Sequence, residues 1–177
     1  MIAQGLTETH PYKDYRKRYY KLIELLLNDV RRHYGQNLVS VVLYGSVARD
    51  TFRPDSDIDV LIVCDNLPKG RVKRMEDFIE HVEKPLSSEL ASLRAEGITP
   101  FFSPLIKTRE EVAYGSPVFL DISEEGKILY DRDDFFYNYI SDFRDKLKRL
   151  GSKKIRFKGG YYWLLKPDYK SGDIIEL

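Results

Sequence analysis

The 177-residue chain has little of several things, and each shortage narrows what it can be. It holds a single cysteine, Cys64, so no disulfide can form within it, which fits a reducing interior. Its formal net charge is +1, from 29 basic and 28 acidic side chains, which excludes a polycation built to coat nucleic acid. No apolar run approaches the ~20 residues that span a bilayer, and no membrane partner is expected. The opening MIAQGLTETH has no basic segment followed by an apolar one, so no secretory signal is read there. The three histidines, His10, His33 and His81, are scattered without metal-ligand spacing and read as structural or surface residues. No Gly-Lys-Ser/Thr follows a glycine-rich run, which argues against a P-loop ATPase. A cytoplasmic protein of one ordinary domain, with a small appendage, is the expectation.

What is present is a rhythm of helices and strands. Tyr15, Tyr19, Leu22, Leu26 and Val30 recur at three- and four-residue spacing, which predicts a helix over Pro11 to Tyr34. Its basic residues Lys13, Arg16, Lys17, Arg18 and Lys21 read as a solvated face in preference to a nucleic-acid patch. Leu38 to Tyr44 and Ile58 to Val63 are nearly all apolar, the mark of strands covered on both faces. Val47 to Asp50 predicts a short helix capped by Ser46. Arg71 to Ala95 predicts a helix broken at Pro85. Ile98 to Lys107 follows as a strand that Pro100 and Pro104 push to a sheet edge. Thr108 and Glu111 have the spacing of a capping box. Short elements at Val118 to Glu125 (helix) and Lys127 to Tyr130 (strand) precede a helix over Asp133 to Leu150. Three short β segments, Ile155 to Phe157, Tyr161 to Leu165 and Ile174 to Leu177, complete the pattern. The fold class is α/β of the α+β type: a mixed sheet packed by helices, with a C-terminal helix and β extension.

The chemistry concentrates in LVSVVLYGSVARDTFRPDSDIDVLIVC, Leu38 to Cys64. Residues i and i+2 of a strand point to one face, so Asp57 and Asp59 project side by side, ~6–7 Å apart at the backbone. Paired carboxylates are hard ligands that suit magnesium kept partly hydrated on a substrate polyphosphate. Read alone, Asp-x-Asp is most often an exposed strand end with solvated acids. Gly45-Ser46 changes that reading. Gly45 lets the backbone turn sharply and approach a ligand, and Ser46 offers unpaired N–H groups and a hydroxyl to an anion. Arg49 is a further candidate for phosphate oxygens. Arg53 reads as a surface residue.

The stretch GSVARDTFRPDSDIDVLIV closely resembles the signature of the DNA polymerase β-like nucleotidyltransferase superfamily: Gly-Ser, a basic residue soon after, a short spacer, then Asp-x-Asp opening a strand. The clear resemblance covers Leu38 to Val63, and the rhythm of elements up to Tyr130 is similar to small stand-alone members. Residues 1–132 are therefore expected to form a nucleotidyltransferase domain with its N-terminal helix. Residues 133–177 match no known module and are expected to pack on the same domain. The resemblance implies transfer of a nucleoside monophosphate from a nucleoside triphosphate (ATP or another) to an acceptor hydroxyl, with Gly45 and Ser46 holding the triphosphate and Asp57 and Asp59 holding Mg²⁺.

One departure matters. Active members place a third carboxylate on a later strand, and ITPFFSPLIKT holds no Asp or Glu. Ser103 or Thr99 stands at that position; Asp121 reads as a surface acid on a helix, and Glu96 is a weak substitute. A second reading is therefore a catalytically weak or inactive module that binds nucleotide or a small helical protein, in the manner of an antitoxin. A third is an RNA-binding protein using the basic stretch Arg144 to Lys158 beside Tyr161-Tyr162-Trp163, with aromatics burying in a hairpin as the plainer account of that segment. The acceptor is unidentified at this stage.

Overall fold

The computed structural model describes residues 15–170. In chain order its elements are α1 (Tyr15–Tyr34), β1 (Leu38–Tyr44), α2 (Gly45–Ala48), β2 (Ile58–Cys64), α3 (Arg71–Phe78), α4 (Ser87–Ala95), β3 (Phe102–Lys107), α5 (Arg109–Ala113), α6 (Val118–Glu125), β4 (Lys127–Asp131), α7 (Phe135–Leu150), β5 (Lys153–Phe157) and β6 (Gly160–Leu164). Four strands form one mixed sheet in the order β3-β2-β1-β4, and β5 and β6 form a separate antiparallel hairpin. β1 runs antiparallel to β2 and β4, while β2 runs parallel to β3.

The apolar run of each central strand has two cores to fill. Val41, Leu43, Val60, Ile62 and Cys64 face α1, α3 and α4, packing with Tyr19, Leu22, Leu26, Phe78 and Leu93. Val39, Val42, Leu61 and Val63 face the other way, against Val112, Phe119, Phe136, Ile140 and Phe143 of α5, α6 and α7. Alternate side chains of one strand serve opposite layers, so no polar residue can be spared in between. Ser40, buried in β1, is the exception, and its hydroxyl donates to Asp131 Oδ1 at 2.6 Å. Burial of each large apolar side chain contributes roughly 1.5–3 kcal/mol, which makes this pair of layers the main source of stability.

Local sequence signals account for most boundaries. The break expected at Pro85 is a π-turn at Ile79–Glu83 followed by a 3-10 turn at Lys84–Leu86, and α4 starts after it. β3 lies at the sheet edge, where the missing N–H of Pro104 leaves the ladder to β2 intact. Thr108 and Glu111 form the capping box in both directions.

Two boundaries differ. Ser46 does not cap α2: Gly45 makes the turn itself at φ +70°, Tyr44 is the N-cap, and Ser46 lies inside the helix. α7 begins at Phe135, since Asp133 and Asp134 adopt left-handed φ values of 56° and 51°. Its first turn is satisfied by Asp131, whose carboxylate accepts from the N–H groups of Phe136 and Tyr137 at 3.0 and 2.9 Å. Part of the expected first helix, residues 11–14, and the expected strand at 174–177 lie outside the described residues. Among the described residues no helix is long and apolar enough to cross a membrane.

Candidate active site

The antiparallel pairing of β1 with β2 brings the end of one strand beside the start of the other. Tyr44 stands opposite Asp59, so the Gly45 turn closes directly over that carboxylate. The approach is close enough to require glycine: a Cβ at Gly45 would fall 2.1 Å from Asp59 Oδ2, and the backbone there has φ +70°. Gly45 and Asp59 are thus two halves of one cradle. Asp57 lies one residue before β2 and is exposed; Asp59 is half-buried.

Burial pushes the Asp59 carboxyl above its ordinary value, and the Asp57 charge adds to the rise; a hydrogen bond from Ser103 and the Arg49 charge oppose it. Tyr44, partly buried beside Asp59, is pushed up to about 12 by burial and by that same charge. Two neighbouring carboxylates, one of them disfavoured in its ionised form, match a hard divalent cation in charge and in donor type, so the residues fit magnesium.

Ser103 of β3 is the in-register partner of Asp59, so it, and not Thr99, occupies the place beside the first acid pair. Thr99 lies in the preceding loop, its N–H donating to Pro54 O at 2.7 Å. Glu96 is bound by Arg18 Nη2 at 2.7 Å. Arg49 is exposed and pairs with Glu125 Oε2 at 2.9 Å. Arg53 pairs with its neighbour Asp55 at 3.2 Å and stays on the surface. Three basic residues of α1 are likewise paired: Arg16 with Asp50, Arg18 with Glu96, and Lys21 with Glu89.

The family model "Nucleotidyltransferase domain" matches residues 23–116, which contain the whole cradle. A Methanocaldococcus jannaschii protein named "Putative protein adenylyltransferase MJ1305" is 30% identical over 131 residues, 73% of this chain and 83% of the relative. The chain belongs to the nucleotidyltransferase family. Among solved structures, a spectinomycin adenyltransferase from Enterococcus faecialis with ATP and spectinomycin is 13% identical, covering 74% of this chain and 66% of its own, with a TM-score of 0.48. A toxin–antitoxin complex with AMP-PNP is 18% identical, covering 75% and 91%, with a TM-score of 0.41.

Sequence reasoning missed the wall that flanks this nucleotidyltransferase cradle. A cavity of about 750 Å³ opens between Arg49 and Thr51, the end of α6 at Glu124 and Glu125, and the β5–β6 hairpin at Lys154, Arg156 and Tyr161. Asp121 is not a free surface acid. It accepts from Tyr161 Oη at 2.8 Å and Trp163 Nε1 at 3.2 Å, and pairs with Lys154 Nζ at 3.3 Å. Burial raises the Asp121 carboxyl, but the hydrogen bonds from Trp163, Tyr161 and Lys154 outweigh it and hold the group below its ordinary value. Burial likewise works against the Lys154 charge, yet hydrogen bonds to Glu124, Glu125 and Asp121 hold its ammonium above the usual range. The aromatics of the hairpin are only partly buried, contrary to the plain packing reading: Phe157, Tyr161 and Tyr162 remain exposed. Polar anchoring to α6 adds to the packing of Trp163 and Leu165 on the second core in holding the hairpin. No local pattern in the sequence marks Glu125 or Lys154 as neighbours of Arg49.

Proposed function

We propose that this chain transfers AMP from ATP to a protein hydroxyl, with Mg²⁺ on Asp57 and Asp59. The observation that carries the reading is the Gly45–Asp59 cradle, in which the only residue type that fits over the carboxylate is the one present. ATP and a protein acceptor are taken from the name of the 30%-identical relative. Magnesium, when bound, supplies the positive charge that neutralises the triphosphate and the departing pyrophosphate. The chain's own residues do the rest. Gly45 gives the polyphosphate access to the backbone, Ser46 offers its hydroxyl beside the turn, and Arg49, already next to the site, exchanges Glu125 for a phosphate oxygen. The acceptor oxygen forms a bond to the α-phosphorus as the α–β bridging bond breaks; pyrophosphate departs and the hydroxyl proton passes to solvent. Calorimetric titration of MgATP, paired with transfer of labelled AMP onto protein, tests the reading. Asp57→Ala/Asp59→Ala should abolish both signals, transfer falling on the order of 10³-fold. Undiminished transfer by the folded double variant overturns the assignment.

Ser103 favours a second reading, a module that binds nucleotide and turns over weakly. A hydroxyl at ordinary pKa does not accept the acceptor's proton, and general-base help is worth ~10²–10⁴-fold. Ser103→Asp separates the readings. A rate gain of at least tenfold supports the weak module; a loss of activity shows that the native site works without a third acid.

A further inference from the structure

His33 and His81, which look unrelated in the sequence, meet at the far end of the sheet. We propose that they form, with Asp77, a binding site for a divalent cation of the zinc class, separate from the magnesium pair. Each of the three residues can offer a ligand atom such that all three atoms lie within 4.8 Å of one another. His33 Nε2 is 2.8 Å from Asp77 Oδ2, and His81 Nδ1 is 3.3 Å from Asp77 Oδ1. A tetrahedral zinc ion with bonds of ~2.0–2.1 Å separates its ligand atoms by about 3.3 Å; the His81 contact to Oδ1 is already at that length, and the His33 nitrogen, now on Oδ2, moves to complete the set. The two imidazole rings lie parallel, 4.5 Å between centroids. His81 is more than half exposed, which gives its ring room to turn toward an ion.

Three further features of the surroundings point the same way. Asp77 and His81 are spaced i, i+4, so they share one helical face, and His33 comes from the last turn of α1. His81 lies inside the π-turn Ile79–Glu83, a local widening common at functional sites. Its Nδ1 sits 3.0 Å from the Asp77 main-chain oxygen, a contact that the nitrogen gives up when it loses its proton and turns to an ion. The buried Tyr34 hydroxyl lies next to the Asp77 carboxylate, with its ring against His33 at 4.6 Å, and makes no hydrogen bond of good geometry. An ion-bound water or a reoriented Asp77 oxygen would satisfy it. A buried hydroxyl left unpaired is costly, and outer groups of this kind commonly orient metal ligands.

The chemistry selects the ion. Two imidazoles beside one carboxylate suit zinc, cobalt or nickel, and the imidazoles are poor ligands for magnesium. The position separates it from the cradle: Leu38 pairs with Cys64 at this end of the strands and Tyr44 with Asp59 at the other, on the order of 20 Å apart. A bound ion would add a fastening between the end of α1 and the turn after α3, which already share the core cluster of Val30, Tyr34, Phe78 and Val82.

The test uses tag-free full-length protein, stripped with chelator and titrated with Co²⁺ and then Zn²⁺. One equivalent of cobalt should give the intense visible bands of four-coordinate Co²⁺, and zinc should displace them. Zinc at about a hundredfold excess over Kd should raise Tm by roughly 5–10 °C. Asp57→Ala/Asp59→Ala should retain the bands, whereas His81→Ala, at an exposed position, and Asp77→Ala should weaken binding at least tenfold. Tyr34→Phe should weaken it about tenfold if the hydroxyl supports the ligands. Absence of stoichiometric binding in the wild type overturns the proposal. So does binding that survives in both folded ligand variants, or that disappears only in the Asp57/Asp59 variant.

Discussion

Asp59 and Asp121 are half-buried carboxylates on either side of Arg49 and Glu125, and their surroundings treat them in opposite ways. Asp121 is fully occupied: an ammonium, a phenol and an indole N–H converge on it, and its pKa falls. Asp59 has one hydroxyl, a second carboxylate and a glycine with no side chain to offer, and its pKa rises. The difference separates an anchor from a site. A carboxylate whose partners are all supplied by the chain has finished its work on folding, whereas one that stays raised despite the Arg49 charge keeps its attraction for a further cation.

The sharpest way to break this comparison is to fill the space over Asp59. Gly45→Ala places a methyl group 2.1 Å from Asp59 Oδ2 in a left-handed backbone conformation. Strain of ~1–3 kcal/mol is expected, and MgATP affinity should fall more than tenfold by calorimetry. Unchanged affinity would mean that the cradle does not hold the polyphosphate.

Next comes the anchor. Asp121→Ala leaves Lys154 with Glu124 and Glu125 but strips Tyr161 and Trp163 of their acceptor. A loss of ~1–3 kcal/mol in denaturant unfolding is expected, with faster amide exchange confined to residues 153–164. Exchange that quickens equally across the sheet would show that Asp121 supports the core and not the hairpin.

The smallest effect concerns pH, where the two acids should slope in opposite senses. Asp121, with a folded pKa below its ordinary 3.8, contributes stability that is present above 3.8 and lost as pH falls through the folded value. Asp59, with a raised pKa, costs the metal-free protein stability at neutral pH, a cost removed as pH falls through the raised value. Asp59→Asn should therefore raise Tm slightly at pH 7 in the presence of chelator, and the advantage should vanish in acid. Added Mg²⁺ should erase it by stabilising only the wild type. A variant less stable than wild type at pH 7 would contradict the assigned cost.

The local features of this fold were legible because their causes are local. Two nearly all-apolar runs marked the central strands, Pro85 marked the helix break, Pro104 the sheet edge, and Thr108 with Glu111 the capping box. The closeness of Gly45 to Asp59 was legible for a related reason. A tight turn needs glycine, a metal needs closely spaced acids, and here both lie within one short stretch of chain. Ser46 and Asp133 misled because a cap depends on the backbone of its neighbours: Gly45 takes the turn at positive φ, and Asp131 reaches forward over two left-handed aspartates.

The sequence by itself determined the family, the mixed α and β layers, and the candidate status of Gly45-Ser46 with Asp57 and Asp59. Only the tertiary structure decided which side chain stands beside Asp59, what Asp121 holds, and that His33 meets Asp77 and His81. The physical reason is range. Periodicity and turn chemistry act over a few residues, whereas strand register and helix packing join Asp59 to Ser103, Asp121 to Lys154 and His33 to Asp77 across long stretches of chain. Those meetings are set by how the layers close over the sheet, a property no segment carries alone.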